Sequence, residues 1–226
     1  MASSPVRPTP EGDGPDRPDD GTDAAAREEV AEAVRSLAEA LVGHDPGAEV
    51  LRAVAAEARR LAATVRAAPR RSPFTLDLGS ISLEPVPDGA DVSGPPDCLF
   101  SGREHPAGMR ARMWREGDRA VAEVTLSQLE EGPPGRAHGG VVAGLCDDVV
   151  RGLLMVCAVP AFTASLTVNL RAASPLGVPL RLEAWVDRRE GRKLWARVQV
   201  TAAGTEVATA ESLLISLTGT GAPPAR

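Results

Sequence analysis

Residues 139–158 read GGVVAGLCDDVVRGLLMVCA, a run of helical length in which only Asp147, Asp148 and Arg151 are charged. A helix that is apolar on most sides must be wrapped by other structure. Before it, residues 109–116 and 119–128 read as two strands, with Gly117-Asp118 as the turn between them. In the second of these, Val121, Glu123, Thr125 and Ser127 alternate with Ala122, Val124 and Leu126. After Pro160 come four more strand-like runs, over 162–172, 180–189, 193–202 and 206–217, with Gly191 and Gly204 marking turns. One helix cannot cover both faces of a parallel sheet. The order therefore predicts an α+β domain over residues 98–219, in which a curved antiparallel sheet wraps one long central helix.

Outward from that domain the chain changes character. Residues 71–97 carry Pro73, Pro85, Pro87, Pro95 and Pro96 and read as an extended linker, with 74–78 able to add a short strand. Residues 23–70 predict a helical hairpin. Val30, Val34, Leu37 and Leu41 fall on one face of its first helix; Val50, Val54, Ala58, Leu61 and Val65 fall on one face of the second. Asp45 is suited to cap the second helix, with Pro46 at its first position. Residues 1–22 are rich in Pro, Gly and Asp and read as a disordered tail, as do residues 220–226.

Composition narrows the function classes. Aromatics are 3% and Tyr is absent, so the core must be built from Val, Leu and Ala. Few aromatics and a net charge of −6 both argue against binding nucleic acid. No apolar run is long enough to suggest a membrane span. No secretory leader is evident, so a cytoplasmic location is expected. Cys98, Cys146 and Cys157 form no CxxC pair, and the three histidines are scattered, so no disulfide framework and no metal site are expected.

The chemistry-bearing stretch is Gly132-Pro133-Pro134-Gly135-Arg136-Ala137-His138-Gly139-Gly140 and the helix it enters. The first N–H groups of a helix have no partner inside it and carry the positive end of its dipole. Glycine lets a ligand approach that backbone closely. Such a terminus is a candidate oxyanion hole. Asp147 lies eight residues after Gly139, about two turns on, on a similar face. From the residues alone, the loop also fits an ordinary turn and His138 a structural hydrogen bond. Asp148 suits an ion pair with Arg151. Neither a P-loop nor a Gly-x-Ser-x-Gly elbow is present.

Residues 132–147 resemble the signature of the PaaI-type hot-dog-fold acyl-CoA thioesterases, nearest the carboxyl-terminal modulator protein branch. The resemblance continues through residues 163–170, 190–193 and 210–214 and covers about half the chain. It implies a hot-dog fold and a homodimer or dimer of dimers, with the active site at the subunit interface. Gly139 would polarise the thioester carbonyl, and Asp147 would act as general base or nucleophile. Thr163 would orient water or the acid, a role that Ser165 fills in some relatives. His138 would shape the loop. Gly140 completes the motif beside the substrate. Arg171, Arg192 and Lys193 are candidates for the CoA phosphates. CoA would be part of the substrate, with no separate cofactor. Many relatives carry Asn or Gln where this chain has Gly132. Two other readings are a thioesterase acting on an acyl carrier protein, docked through the N-terminal helices, and a non-catalytic acyl-CoA-binding scaffold. A hot-dog dehydratase is disfavoured, since no Asp-x-Asn-x-x-His motif is found.

Overall fold

The computed structural model describes residues 22–70, 84 and 86–217. The expected tails at 1–22 and 220–226 lie outside the described residues except Thr22, which instead begins a helix, and the possible strand at 74–78 lies outside them too. The order of elements is α1 (Thr22–Gly43), α2 (Gly47–Arg66), β1 (Arg112–Glu116), β2 (Arg119–Thr125), α3 (Gly139–Val156), β3 (Ala161–Leu170), β4 (Pro179–Glu190), β5 (Lys193–Ala202) and β6 (Thr205–Ser216). The strands form one antiparallel sheet in the order β1-β2-β4-β5-β6-β3. α3 touches every strand, so the sheet curves around it.

Small residues make that curvature possible. Ala120, Ala122, Ala184, Ala196, Ala208 and Ala210 line the sheet, all buried. Against them α3 packs Val142, Leu145, Val149, Val150 and Leu153, also buried. The three tryptophans contribute nothing to this layer. Arg119 lies over the Trp185 ring at 4.9 Å and Arg188 over Trp195 at 4.0 Å, as cation–π pairs. The hairpins close through two-residue turns. At the β5–β6 turn Ala203 and Gly204 both have positive φ, 47° and 80°, the twist that a tight hairpin favours.

The N-terminal helices depart from expectation. α1 and α2 are present, but they do not pack on each other as a hairpin. α1 docks on the domain through few contacts. Ala31 is buried, Arg35 donates from Nη1 to the His105 carbonyl at 2.8 Å, and Glu32 pairs with both Arg35 and Arg110. α2 buries no residue. Asp45 does not cap it. The cap position is Pro46, with no side-chain hydrogen bond, and Gly47 enters the helix at φ +79°.

Between the linker and β1, residues 89–111 form a strap on α3. Its start pairs with β1 through Val92 N–H to the Met113 carbonyl and Arg115 N–H to the Ala90 carbonyl. Asp148 and Arg151 of α3 hold it further along. Arg151 Nε donates to Asp148 Oδ1 at 2.8 Å, Arg151 Nη2 donates to the Val92 carbonyl at 3.2 Å, and the Cys98 thiol donates to Asp148 Oδ1 at 3.6 Å.

Candidate active site

The loop entering α3 is fastened at both ends. Ser127 and Glu130 form a capping box at its start, His138 N–H donates to the Glu130 carbonyl at 2.7 Å, and Ala137 N–H donates to the Ser174 carbonyl at 2.9 Å. Gly132 sits where the loop turns back on His138. A Cβ at this position would lie 2.9 Å from His138 Cα, so no side chain fits this loop conformation.

His138 is the N-cap of α3, and its Nδ1 accepts from Gly140 N–H at 3.0 Å. The neutral ring therefore carries its proton on Nε2. This satisfies Gly140 and leaves Gly139 N–H, first of the helix, with no acceptor among the described hydrogen bonds. Gly140 is therefore committed to the cap, and Gly139 is the available donor.

Asp147 is exposed on the same helix. Thr163 Oγ1 donates to Asp147 Oδ1 at 3.0 Å, joining β3 to α3 across the mouth of the fold. Asp148, next in sequence, is buried and ion-paired with Arg151, as its spacing suggests.

Ser165 does not share the position of Thr163. A β-bulge between them shifts the register, so Thr163 pairs with Leu214 and Ser165 with Leu213. Directly paired side chains share a face of the sheet. Leu214 belongs to the buried layer around α3, so Ser165 points to the opposite side of the sheet from Thr163.

The basic candidates separate. Arg171 lines a groove of about 340 Å³ beside Gly139, with Leu170 and Arg136, a residue that sequence reasoning did not single out. Arg192 and Lys193 lie at the β4–β5 turn, where Arg192 Nε donates to the Ser216 carbonyl at 2.9 Å. Ser216 pairs with Ala161, the far end of β3 from Leu170. Nine residues of strand make that about 30 Å. Within one chain, Arg192 and Lys193 therefore do not join Arg171.

Cys146 and Cys157 are poor nucleophiles. Burial, with a smaller contribution from the Asp147 charge, pushes the Cys146 thiol up to about 12. Burial and then Asp118 push Cys157 up to about 11. All three cysteines are free. Among the described residues no group of His, Cys, Asp and Glu could hold a metal. No described helix is long and apolar enough to cross a membrane.

Residues 134–209 match the model of the thioesterase superfamily. The chain is similar to acyl-coenzyme A thioesterase THEM4 of Xenopus laevis, 37% identical over 71 residues, which are 31% of this chain and 32% of that protein. The chain thus spans about a third of the length of that curated relative. The crystal structure of a thioesterase superfamily protein aligns with a TM-score of 0.72 at 25% identity, over 84% of this chain and 90% of that one. The fold around α3 is the hot-dog fold. The Escherichia coli PaaI protein overlays more loosely, with a TM-score of 0.46 at 16% identity over 50% of this chain and 83% of that one.

Proposed function

We propose that the domain hydrolyses acyl-CoA thioesters to free acid and CoA, at a site that two copies of the chain complete. The observation that carries this reading is the exposed Asp147 carboxylate, held by the Thr163 hydroxyl at 3.0 Å, within a thioesterase-superfamily domain. An acid on so apolar a helix needs a partner or a purpose. Thr163 fixes one oxygen and leaves the other free to take a proton. In the proposed reaction Asp147 removes a proton from water, and the resulting hydroxide adds to the thioester carbonyl. The oxygen of the tetrahedral intermediate takes its hydrogen bond from Gly139 N–H at the positive end of α3. The C–S bond breaks, and the departing thiolate takes the proton held by Asp147. Direct attack by Asp147, giving a mixed anhydride that water then opens, uses the same groups.

One chain cannot bring these groups to one carbonyl. Eight residues at 1.5 Å each separate Gly139 from Asp147 by about 12 Å along the helix. A second copy resolves this. β3 is the sheet edge, ten residues long and largely exposed, a surface that a folded protein does not leave uncovered without reason. If two β3 strands pair antiparallel, centred on Thr167, the bulge between Thr163 and Ser165 brings Thr163 opposite the partner subunit's Leu170. Leu170 packs on Gly139 within one chain: a Cβ at Gly139 would lie 2.7 Å from the Leu170 side chain. The same twofold therefore carries the partner subunit's Gly139 toward Asp147, and its basic groove with it. That groove suits the CoA phosphates.

Asp147→Asn tests the reading. With a panel of acyl-CoAs and a thiol-detecting readout, the protein is expected to release CoA, and the variant to lose about 10²–10⁴ in kcat. Turnover by the variant at the unsubstituted rate would remove Asp147 from the mechanism. The same acyl group on a carrier protein separates the two leaving groups.

A further inference from the structure

Seen from Asp147, the exposed strip of α3 has two different sides. One is β3, which supplies Thr163. The other is the strap, and there the half-buried Phe100 ring presses end-on against Gly144. A Cβ at Gly144 would lie 2.2 Å from Phe100 Cζ and 2.6 Å from Cε1, so the ring occupies the space a side chain would take. Gly144 lies three residues before Asp147, about 4.5 Å along the axis and on the same face. Side chains on a helix lean toward its N-terminus, so Asp147 leans over the turn that Phe100 abuts. The floor there is Gly140, Ala143 and Gly144, none of which fills the strip.

Phe100 is also fixed in place. Its carbonyl accepts from Ala111 N–H at 2.9 Å, and the neighbouring Cys98 thiol is tied to Asp148. Gly102 closes the bend behind it. A Cβ there would lie 2.4 Å from both Cys98 N and the Pro96 carbonyl oxygen. The strap lies outside the segment that matches the superfamily model.

Resting on the thioesterase reading, we infer that Phe100 is a specificity-determining residue: its ring on Gly144 ends the groove that takes the apolar acyl tail, and so limits acyl length. The polar part of the substrate has the arginine-lined groove beside Gly139, whereas the Phe100 side offers the aromatic surface that an alkyl chain prefers. Gly144 and Phe100 act as a pair, because only a residue without a side chain lets the ring reach the helix.

The test measures kcat/KM over acyl-CoAs from four to sixteen carbons for the unsubstituted protein, Phe100→Ala and Phe100→Leu, with thermal melts of each. The unsubstituted profile should fall off beyond a definite length. Phe100→Ala should move that limit to longer chains, raising the long-to-short ratio of kcat/KM about tenfold or more, the worth of a methylene in an apolar pocket. Phe100→Leu should move it part of the way while melting close to the unsubstituted protein. Equal losses at every chain length in both variants would overturn the inference and leave the thioesterase reading standing. Absence of hydrolysis for any acyl-CoA by the unsubstituted protein would overturn both.

Discussion

Asp147 and Asp148 are neighbours with opposite fates, and the helix decides which is which. One hundred degrees of rotation separates them, so one faces the open strip and the other the strap. This much was legible: an i,i+3 spacing to Arg151 marks Asp148, and the His138-Gly139-Gly140 stretch leads to Asp147, which Thr163 holds and which the proposed reaction uses. The role of Ser165 was not legible, because a bulge of one residue turns it to the other face and leaves no signature in the sequence. The two acids should separate in experiment. Asp148→Ala leaves Arg151 without its carboxylate beside the buried core and frees the strap, so it should cost about 3 kcal/mol, the lower end for breaking a buried pair. Asp147→Ala is at an exposed position and should stay within about 0.5 kcal/mol. Urea denaturation of the two variants checks this, and equal midpoints would mean that the Asp148 pair contributes nothing to stability.

Among the elements, the strands and α3 were readable because each has a strong period and a glycine turn beside it. Lys193–Ala202 begins and ends where the residue pattern places it, and α3 ends two residues earlier than its apolar run. The N-terminal helices were readable as helices and unreadable as packing. An apolar stripe states that a partner is wanted, but not which one, and here Val30, Val34, Leu61 and Val65 remain exposed in the single chain. α1 is held by buried Ala31, the Glu32–Arg110 pair and Arg35. Arg35, 9% exposed, spans from α1 to the His105 carbonyl on the strap. Arg35→Ala should therefore loosen α1 by roughly 1.5–3 kcal/mol, the worth of a hydrogen bond from a charged group. Amide hydrogen exchange should accelerate across residues 22–43 while α3 keeps its protection. Unchanged protection of α1 would show that its attachment lies elsewhere.

For the whole molecule, the question is whether one chain or two make the proposed site, and the helix rise bears on it where the motif does not. The motif names the groups but is silent about distance. Under the proposed reaction, about 12 Å between donor and base is too far for one carbonyl, and a second copy of the chain is what the proposal uses to bring them together. Two variants turn this into a measurement. Asp147→Asn removes the base. Gly139→Pro removes only the N–H, since proline is well tolerated at the first position of a helix and His138 before it is already extended, at ψ 131°. Proline's ring must displace the tip of the Leu170 side chain, a flexible group. Each homodimer should be nearly inactive, with Gly139→Pro losing about 10²–10³ in kcat. Co-expressed, half of the dimers pair one variant with the other, and each of these has one site with both Asp147 and the partner subunit's Gly139 intact. Activity should then return to about a quarter of the unsubstituted level, the value that twofold symmetry requires. If base and donor served the same carbonyl from the same chain, no mixed dimer would contain an intact site, and the mixture would stay as inactive as its parents.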